Sequence, residues 1–271
     1  MLLCGASLSC SFNSNKAPDE KIKVAEGYSW EVYAEGLKSV DNLAKTPDGL
    51  LFATLELNSP DGELIMIDRD GKATSVMKGL NRPDGLRARG FKLYILEESR
   101  SGRVIEYDVK AFKHRVMAEF DNLEGIAVIS DEEIVIAEDK KEGRLIKLSL
   151  SGDRTVLWEG LSNPEGIAVD KEGVIYIAET KTGKVLFLKG DEKGILLQGL
   201  HEPDQLAIDN DGALWIAEDV NPGRLLRYYN GLLETIVEGL NAPQGILTDG
   251  KDILLAEQEL GRIIHLKRKQ K

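Results

Sequence analysis

Gly79-Leu80-Asn81-Arg82-Pro83-Asp84-Gly85 and Gly160-Leu161-Ser162-Asn163-Pro164-Glu165-Gly166 are two copies of one phrase, Gly-Leu-x-x-Pro-acid-Gly. Four altered copies complete the set, and the residues at the acid position of all six are Asp41, Asp84, Glu124, Glu165, Asp204 and Gln244. Successive copies are 43, 40, 41, 39 and 40 residues apart. A period of about 40 residues is typical of the blades of a propeller.

Each repeat contains four short segments rich in Ile, Val and Leu and bounded by Gly, Asp and Lys, such as residues 166–170, 173–179, 183–188 and 194–198. These segments predict strands, and no longer window shows helical periodicity. After Gln244 the chain supplies only three strands, whereas residues 30–37 near the start match the fourth strand at 155–161. The sequence therefore predicts an all-β, six-bladed β-propeller over residues 28–271, closed by an N-terminal strand that completes the last blade.

Composition excludes several classes of function. The 271 residues include 35 Lys and Arg against 46 Asp and Glu, a net charge of −11, which disfavours nucleic acid as a partner. No apolar run is long enough to span a membrane. The chain lacks the GxGxxG, GxxxxGK[ST], HExxH and GxSxG motifs, and its three histidines are too few and too scattered for a zinc site.

The N-terminus carries the two cysteines, Cys4 and Cys10. Met1–Ser9 is apolar and rich in small residues, and a polar run follows Cys10, which resembles the end of a bacterial lipoprotein signal. We therefore expect residues 1–27 to be a signal and tether, with membrane attachment only through a lipidated Cys10. This segment predicts a location in the cell envelope or periplasm, and an unstructured tail on a cytoplasmic protein is the alternative. We expect the protein to be a monomer.

Three segments carry a resemblance to known families: Pro83-Asp84-Gly85-Leu86, Pro164-Glu165-Gly166-Ile167-Ala168 and Leu214-Trp215-Ile216-Ala217-Glu218. Over residues 28–270 the chain resembles the gluconolactonase/regucalcin group of metal-dependent lactone hydrolases and, equally, the NHL-repeat propellers, many of which are non-catalytic. The first resemblance implies a divalent ion in the central channel held by Asp41, Glu165 and Asp204, with Asp204 assisting catalysis. Glu165 departs from the Asn common in that group, and Gln205 replaces a Gly. Streptogramin-lyase propellers are also similar, but their chemistry relies on histidine, and no histidine ends a second strand here.

The acid positions themselves suggest a metal site. A propeller directs the starts of its inner strands at the channel, so Asp41, Asp84, Glu124, Glu165, Asp204 and Gln244 should converge there. Like charges about 6 Å apart cost roughly 2.8 kcal/mol per pair at an effective dielectric of about 20, so the ring favours a bound cation or protonation. Oxygen ligands favour Ca²⁺, with Mn²⁺ or Mg²⁺ as alternatives. A simple turn is the competing explanation, although it accounts for Asp84 better than for the longer side chains.

A second acidic series ends the second strands at Glu97, Glu138, Glu179, Glu218 and Glu257. Basic residues follow at the start of each third strand, namely Arg103, Arg144, Lys184, Arg224 and Arg262. We interpret these as exposed salt bridges within blades, each contributing about 0–1 kcal/mol. A wider acidic cup around a substrate is the alternative.

Three further residues are candidate substrate contacts. Lys45 and Arg87 place cations where other blades have small or aliphatic residues, so we expect them to neutralise the first-blade side of the ring. Extension of both side chains to the bottom rim is the alternative. His201 lies three residues before Asp204 and could contact substrate or transfer a proton, or be a solvated loop residue.

Together these features predict a metal-dependent hydrolase of a lactone or small ester, with a divalent ion in the channel and Asp204 as proton acceptor. The alternative is a non-catalytic propeller that binds a protein or carbohydrate through its top face.

Overall fold

A computed structural model describes residues 21–269, and it confirms the all-β, six-bladed propeller. Each blade is an antiparallel sheet of four strands, with one additional strand on the fifth. Within the described range the only helical element is a 3-10 turn at Thr180–Thr182, and no helix there could cross a membrane.

The strand bounds follow the chain order. Two strands precede the first blade: Lys23–Val24 (β1) and Tyr28–Glu35 (β2). Blade one contains Val40–Lys45 (β3), Leu51–Leu55 (β4), Gly62–Ile67 (β5) and Ala73–Leu80 (β6). Blade two contains Pro83–Arg89 (β7), Lys92–Glu97 (β8), Gly102–Asp108 (β9) and Lys113–Phe120 (β10). Blade three contains Leu123–Val128 (β11), Glu133–Glu138 (β12), Gly143–Ser149 (β13) and Arg154–Leu161 (β14).

The last three blades complete the ring. Blade four contains Pro164–Val169 (β15), Ile175–Glu179 (β16), Lys184–Lys189 (β17) and Glu192–Gln198 (β18). Blade five contains Pro203–Ile208 (β19), Leu214–Glu218 (β20), Gly223–Tyr229 (β21) and Leu232–Leu240 (β22). Blade six contains Pro243–Asp249 (β23), Asp252–Glu257 (β24) and Arg262–Arg268 (β25), with β2 as its fourth strand.

The second strands are apolar on both faces because each blade lies between two others. In β8, Leu93 and Ile95 pack against the core of blade one, whereas Tyr94 and Leu96 pack against blade three. Alternate side chains of one strand point to opposite faces of the sheet, so both faces must be apolar when both are covered. This explains the continuous hydrophobic runs in the sequence.

The ring closes as predicted. Strand β2 pairs antiparallel with β25, with Trp30 opposite Leu266 and Val32 opposite Ile264. The inner strand of blade six, β23, packs in turn against β3 of blade one. An N-terminal strand thus completes the last sheet and covers the edge that β25 would otherwise expose.

The segment predicted to be a tether, residues 1–27, includes residues that belong to the folded domain. Strand β1, at Lys23–Val24, pairs with β22 at the outer edge of blade five, and Ile22 is buried in the adjacent core. The strand is held because it satisfies edge hydrogen-bonding groups while burying one isoleucine. The proposed lipidation site at Cys10 lies outside the described residues.

Glycine at the position after the acid allows the inner strands to approach closely at the axis. A Cβ on Gly125 would overlap the backbone carbonyl of Glu165, and one on Gly166 would overlap that of Asp204. Each inner strand therefore lies directly against the acid residue of the next blade. Blades one and five carry Asn42 and Gln205 at this position instead, and both side chains are buried near the channel.

Candidate functional site

Six equivalent loops carry the acid positions to one end of the central channel, called here the loop end. In every loop the residue two positions before the acid adopts a left-handed conformation, with φ between 44° and 50°: Ser39, Arg82, Asn122, Asn163, Glu202 and Ala242. Left-handed backbone is uncommon outside glycine, so its recurrence in six loops indicates one shared geometry. We call the six residues at the acid positions the first ring; they are Asp41, Asp84, Glu124, Glu165, Asp204 and Gln244.

A second ring, which the sequence analysis missed, lies beside the first. It consists of the residues that follow the second strands: Glu56, Glu98, Asp139, Thr180, Asp219 and Gln258. In all six blades the backbone N–H of this residue donates to the carbonyl of the left-handed loop residue, with N to O distances of 2.8–3.3 Å. The two rings are thereby fixed relative to each other.

The first group of carboxylates, Asp41, Glu56 and Asp84, is compensated by amides. Their ligand atoms lie within 4.8 Å of one another. The Asn42 side-chain amide donates to Asp41 at 2.8 Å and to Asp84 at 3.1 Å, and that of Gln258 donates to Asp41 at 2.8 Å and to Glu56 at 2.9 Å.

Arg82 adds a positive charge beside this first group. Its guanidinium donates to Glu56 at 2.5–2.7 Å and also forms an ion pair with Glu98. Amides and a guanidinium thus already satisfy the carboxylate oxygens on this side of the channel.

The second group, Glu124, Glu165 and Asp204, has no guanidinium beside it and fewer side-chain donors than the first. Its carboxylate oxygens also lie within 4.8 Å of one another. Glu165 accepts a hydrogen bond from the Thr180 hydroxyl. Asp204 is 3% exposed, and its Oδ1 is buried with no hydrogen-bond partner among the described residues. A buried carboxylate oxygen without a donor is costly unless a proton or a cation occupies the space beside it.

Burial raises the pKa of these carboxyls, and their neighbours raise it further. Burial followed by the charge of Glu165 holds the pKa of Glu124 and of Asp204 well above the ordinary range. Burial raises the pKa of Glu165 to about 8, despite the opposing Thr180 hydrogen bond. In the second ring, burial raises the pKa of Glu98 to about 7 and that of Asp219 to about 6. A cation between the carboxylates would reverse these shifts.

The second group is chemically suited to a hard divalent cation. The atoms that it offers as metal ligands are all carboxylate oxygens. The side-chain amide of Gln244, beside Asp204, opposes the rise in the pKa of the Asp204 carboxyl. Oxygen ligands fit Ca²⁺, Mg²⁺ or Mn²⁺. The structure brings Glu165 and Asp204 together, as the family resemblance implies, but supplies Glu124 as the third carboxylate and places Asp41 in the compensated group.

Two of the expected substrate contacts lie away from the loop end. The prediction that Lys45 neutralises the ring is wrong, because its ammonium pairs at 2.5 Å with Asp249, at the far end of β23. Arg87 does line the channel, but its donors meet Asn42 and two backbone carbonyls rather than the ring carboxylates. Lys45 is the last residue of its strand, so its long side chain reaches solvent at the bottom rim.

His201 is exposed in the loop before Asp204. Its backbone N–H donates to Glu218 at 2.8 Å, which fixes the loop rather than the imidazole ring. The suggestion that His201 contacts substrate stays a prediction.

The second-strand glutamates form the expected ion pairs in four blades. Glu97, Glu138, Glu218 and Glu257 each bond to the arginine that opens the third strand. Glu179 instead accepts from Ser162 and Thr182, although Lys184 lies opposite it in the sheet. The prediction that the pairs are exposed is wrong for the glutamates, all of which are at most 6% exposed.

Comparison with known structures agrees with this architecture. A gluconolactonase from Xanthomonas campestris superposes with a TM-score of 0.76 at 11% identity, covering 90% of each chain. A virginiamycin B lyase from Staphylococcus aureus superposes with a TM-score of 0.64 at 14% identity, covering 91% of this chain and 99% of that one. A chain of a nidogen/laminin complex superposes with a TM-score of 0.64 at 14% identity, covering 74% and 80%.

Sequence comparison finds fewer relatives than structural comparison does. The family model described as SdiA-regulated matches residues 117–180, and no curated protein matches the chain. At 11–14% identity the structural matches show the fold alone. The chain is therefore similar to gluconolactonase-like six-bladed propellers, and the chemistry has to be argued from its own residues.

Proposed function

We propose that this protein hydrolyses a lactone or a related small ester at the loop end of the channel, with a divalent cation held by Glu124, Glu165 and Asp204. The observation that carries the proposal is the buried, unpartnered Oδ1 of Asp204 between two further carboxylates. The family resemblance and the gluconolactonase fold match support it.

The residues of the proposed site have two roles: they hold the ion, and one of them accepts a proton. When bound, a divalent ion polarises an ester carbonyl and acidifies a water molecule. Asp204 Oδ1 is the atom available to accept the proton of the attacking water, since no described residue bonds to it. Glu165, fixed by Thr180, and Glu124 hold the negative charge that retains the ion.

The position of the histidines favours hydrolysis over a lyase reaction. His114 lies on the fourth strand of blade two and His265 on the third strand of blade six, so His201 is the one described histidine in the loops around the first ring. Streptogramin-lyase propellers depend on histidine at the ends of second strands, where this chain has Glu97, Glu138 and their equivalents. Carboxylates are the groups that this site offers for acid–base chemistry.

A binding module is the second candidate. The superposition on a chain of the nidogen/laminin complex favours it, since that propeller occurs in a protein–protein complex. In this case the loop end would bind a protein or carbohydrate, and the carboxylates would serve only a structural cation.

The decisive experiment measures hydrolysis of a panel of small lactones by chelator-treated protein, before and after addition of Ca²⁺, Mn²⁺ or Mg²⁺. We expect metal-dependent turnover that is lost in Glu124→Gln and Asp204→Asn. Asp249→Asn, which alters the bottom rim, should keep it. Turnover that survives chelation, or that is absent with every ion, would contradict the proposal.

Metal binding is tested separately through stability. At a hundred times its dissociation constant, the cation should stabilise the wild type by about 2.7 kcal/mol. Asp204→Asn should remove this increment while stabilising the metal-free protein, because it relieves a buried, repelled carboxylate. If the ion binds but no lactone is cleaved, the binding module is favoured over the hydrolase.

Asp41→Asn discriminates between the two ligand sets. If the cation lies between Glu124, Glu165 and Asp204, this variant should keep most of the metal increment. Loss of the increment in Asp41→Asn but not in Glu124→Gln would restore the ligand set implied by the family resemblance.

A further inference from the structure

The Arg87 side chain crosses the channel on the side of the two rings that faces away from the loop end. It projects from the inner strand of blade two, where its Nη1 donates to the Asn42 side-chain oxygen at 3.2 Å and to the Leu86 carbonyl at 2.9 Å. Its Nη2 reaches the Leu206 carbonyl of blade five at 3.3 Å. Blades two and five face each other across a ring of six, so the guanidinium spans the axis and separates the loop end from the lower channel.

The lower channel is an apolar cavity of about 260 Å³ that has Arg87 in its wall. The remaining wall comes from the second halves of the inner strands and includes Ala127, Ala168, Ala207 and Leu247. Thr248 is the other polar residue among the described wall residues, and its hydroxyl donates to the Ile208 carbonyl. Arg87 is therefore the single charged group that the described part of the chain presents to this cavity.

The charge of Arg87 lacks a directly bonded counter-ion in the described structure. All three of its acceptors are neutral oxygens, and no carboxylate lies within ion-pair distance. The Asn42 amide, which bonds to Asp84, lies between the guanidinium and that carboxylate. Burial lowers the pKa of Arg87 to about 10, which leaves it protonated at neutral pH. Arg87 is only partly buried, so the open side of the cavity can admit an anion to the guanidinium. A partly buried cation without a bonded anion has lost some of its hydration, and guanidinium has donors to spare for a carboxylate.

We propose that the lower channel binds a small organic monoanion, with its carboxylate on Arg87 and its apolar chain along the alanine-rich wall. This site is distinct from the loop-end metal site and does not depend on the proposed hydrolase activity. The cavity would hold about eight or nine water molecules at roughly 30 Å³ each, a volume that suits about eight non-hydrogen atoms. One guanidinium and apolar walls favour a monocarboxylate over a phosphate, which needs more donors.

Hexanoate is the probe, and its binding is measured by calorimetry on chelator-treated protein so that no metal at the loop end can bind it. We expect wild-type protein to bind hexanoate, with hexanol and hexylammonium binding at least about tenfold more weakly. Arg87→Met should weaken hexanoate by about tenfold or more while retaining the apolar stem. Arg89→Met is the matched control on the same strand, because Arg89 pairs with Asp131 outside the cavity.

Two further variants keep the test decisive. Val128→Phe narrows the cavity while Arg87 stays unchanged, and it should also abolish hexanoate binding. This variant tests the site even if Arg87→Met fails to fold. Asp204→Asn should bind hexanoate like the wild type, because it alters only the loop end. Equal hexanoate affinity in wild type and Arg87→Met, or no binding by the folded wild type, would overturn the proposal whatever the outcome of the lactone assay.

Discussion

A buried glutamate ends the second strand in blades two to six and connects two parts of its blade. Glu218 has no exposed surface; it accepts the His201 backbone N–H at 2.8 Å and two hydrogen bonds from Arg224 at 2.5 and 2.9 Å. The same carboxylate thus joins the third strand to the loop that precedes Asp204. This role explains why the pattern recurs around the ring, because each loop must be held for its first-ring residue to face the channel.

Replacement of Arg224 by Ala should destabilise the protein by about 1–3 kcal/mol. The change leaves Glu218 buried without its ionic partner, although Arg224 is itself a third exposed, which moderates the loss. The matched control is Lys78→Ala, since Lys78 forms a 3.4 Å pair with Glu63 and is 71% exposed. It should change stability by less than about 0.5 kcal/mol. Urea unfolding checks both, and equal effects would refute the buried-pair argument.

At the scale of the strand, close contact between inner strands sets the geometry of the carboxylates. A Cβ on Gly125 would meet the Glu165 carbonyl, which belongs to a strand fixed by its own blade. Gly125→Ala should therefore force blades three and four apart, cost about 3 kcal/mol or more, and displace Glu165 from its group. The control is Gly212→Ala, whose φ of +85° gives a strain of about 1–2 kcal/mol but whose Cβ would meet no atom within 4 Å.

The two glycine variants should also differ in metal binding. Gly125→Ala is expected to lose the metal-dependent rise in melting temperature, whereas Gly212→Ala should retain it despite its own backbone strain. Thermal melts with chelator and with saturating Ca²⁺ make the comparison. Retention of the full increment by Gly125→Ala would show that contact between neighbouring strands does not position Glu165.

The repeat spacing predicted the strands and the first ring because one backbone geometry recurs about every 40 residues. The second ring was hidden, since its members share a position but not a side chain: Glu98, Asp139 and Thr180 differ in charge and length. The sequence also could not show that Lys45 points to the bottom rim while Arg87 lines the channel, because the direction of a long side chain depends on the position of its residue along the strand. Strand β1 has only two residues, Lys23 and Val24, which is too short for a pattern of apolar residues to predict it.

At the scale of the whole molecule, the converging carboxylates should make the metal-free protein less stable as pH rises. Burial raises the folded-state pKa of Glu165 to about 8, of Glu98 to about 7 and of Asp219 to about 6. A raised pKa means that the folded state binds more protons than the unfolded chain at intermediate pH. The stability that these groups contribute is present in full below their ordinary pKa and is lost as pH rises through the raised values.

We therefore expect the free energy of unfolding in chelator to fall between pH 5 and pH 8. One carboxyl titrating in this way contributes a slope of up to about 1.4 kcal/mol per pH unit, and Glu165→Gln should remove that contribution. Carboxyls with lowered pKa values, such as Glu31, Glu106 and Glu138, stay charged throughout this range and do not add to the slope. Saturating Ca²⁺ should flatten the profile, because the cation binds the deprotonated ligands and its stabilising increment grows with pH. Urea unfolding at pH 5, 6.5 and 8 tests this; stability that rises with pH in chelator would mean that the carboxylates are already compensated in the metal-free fold.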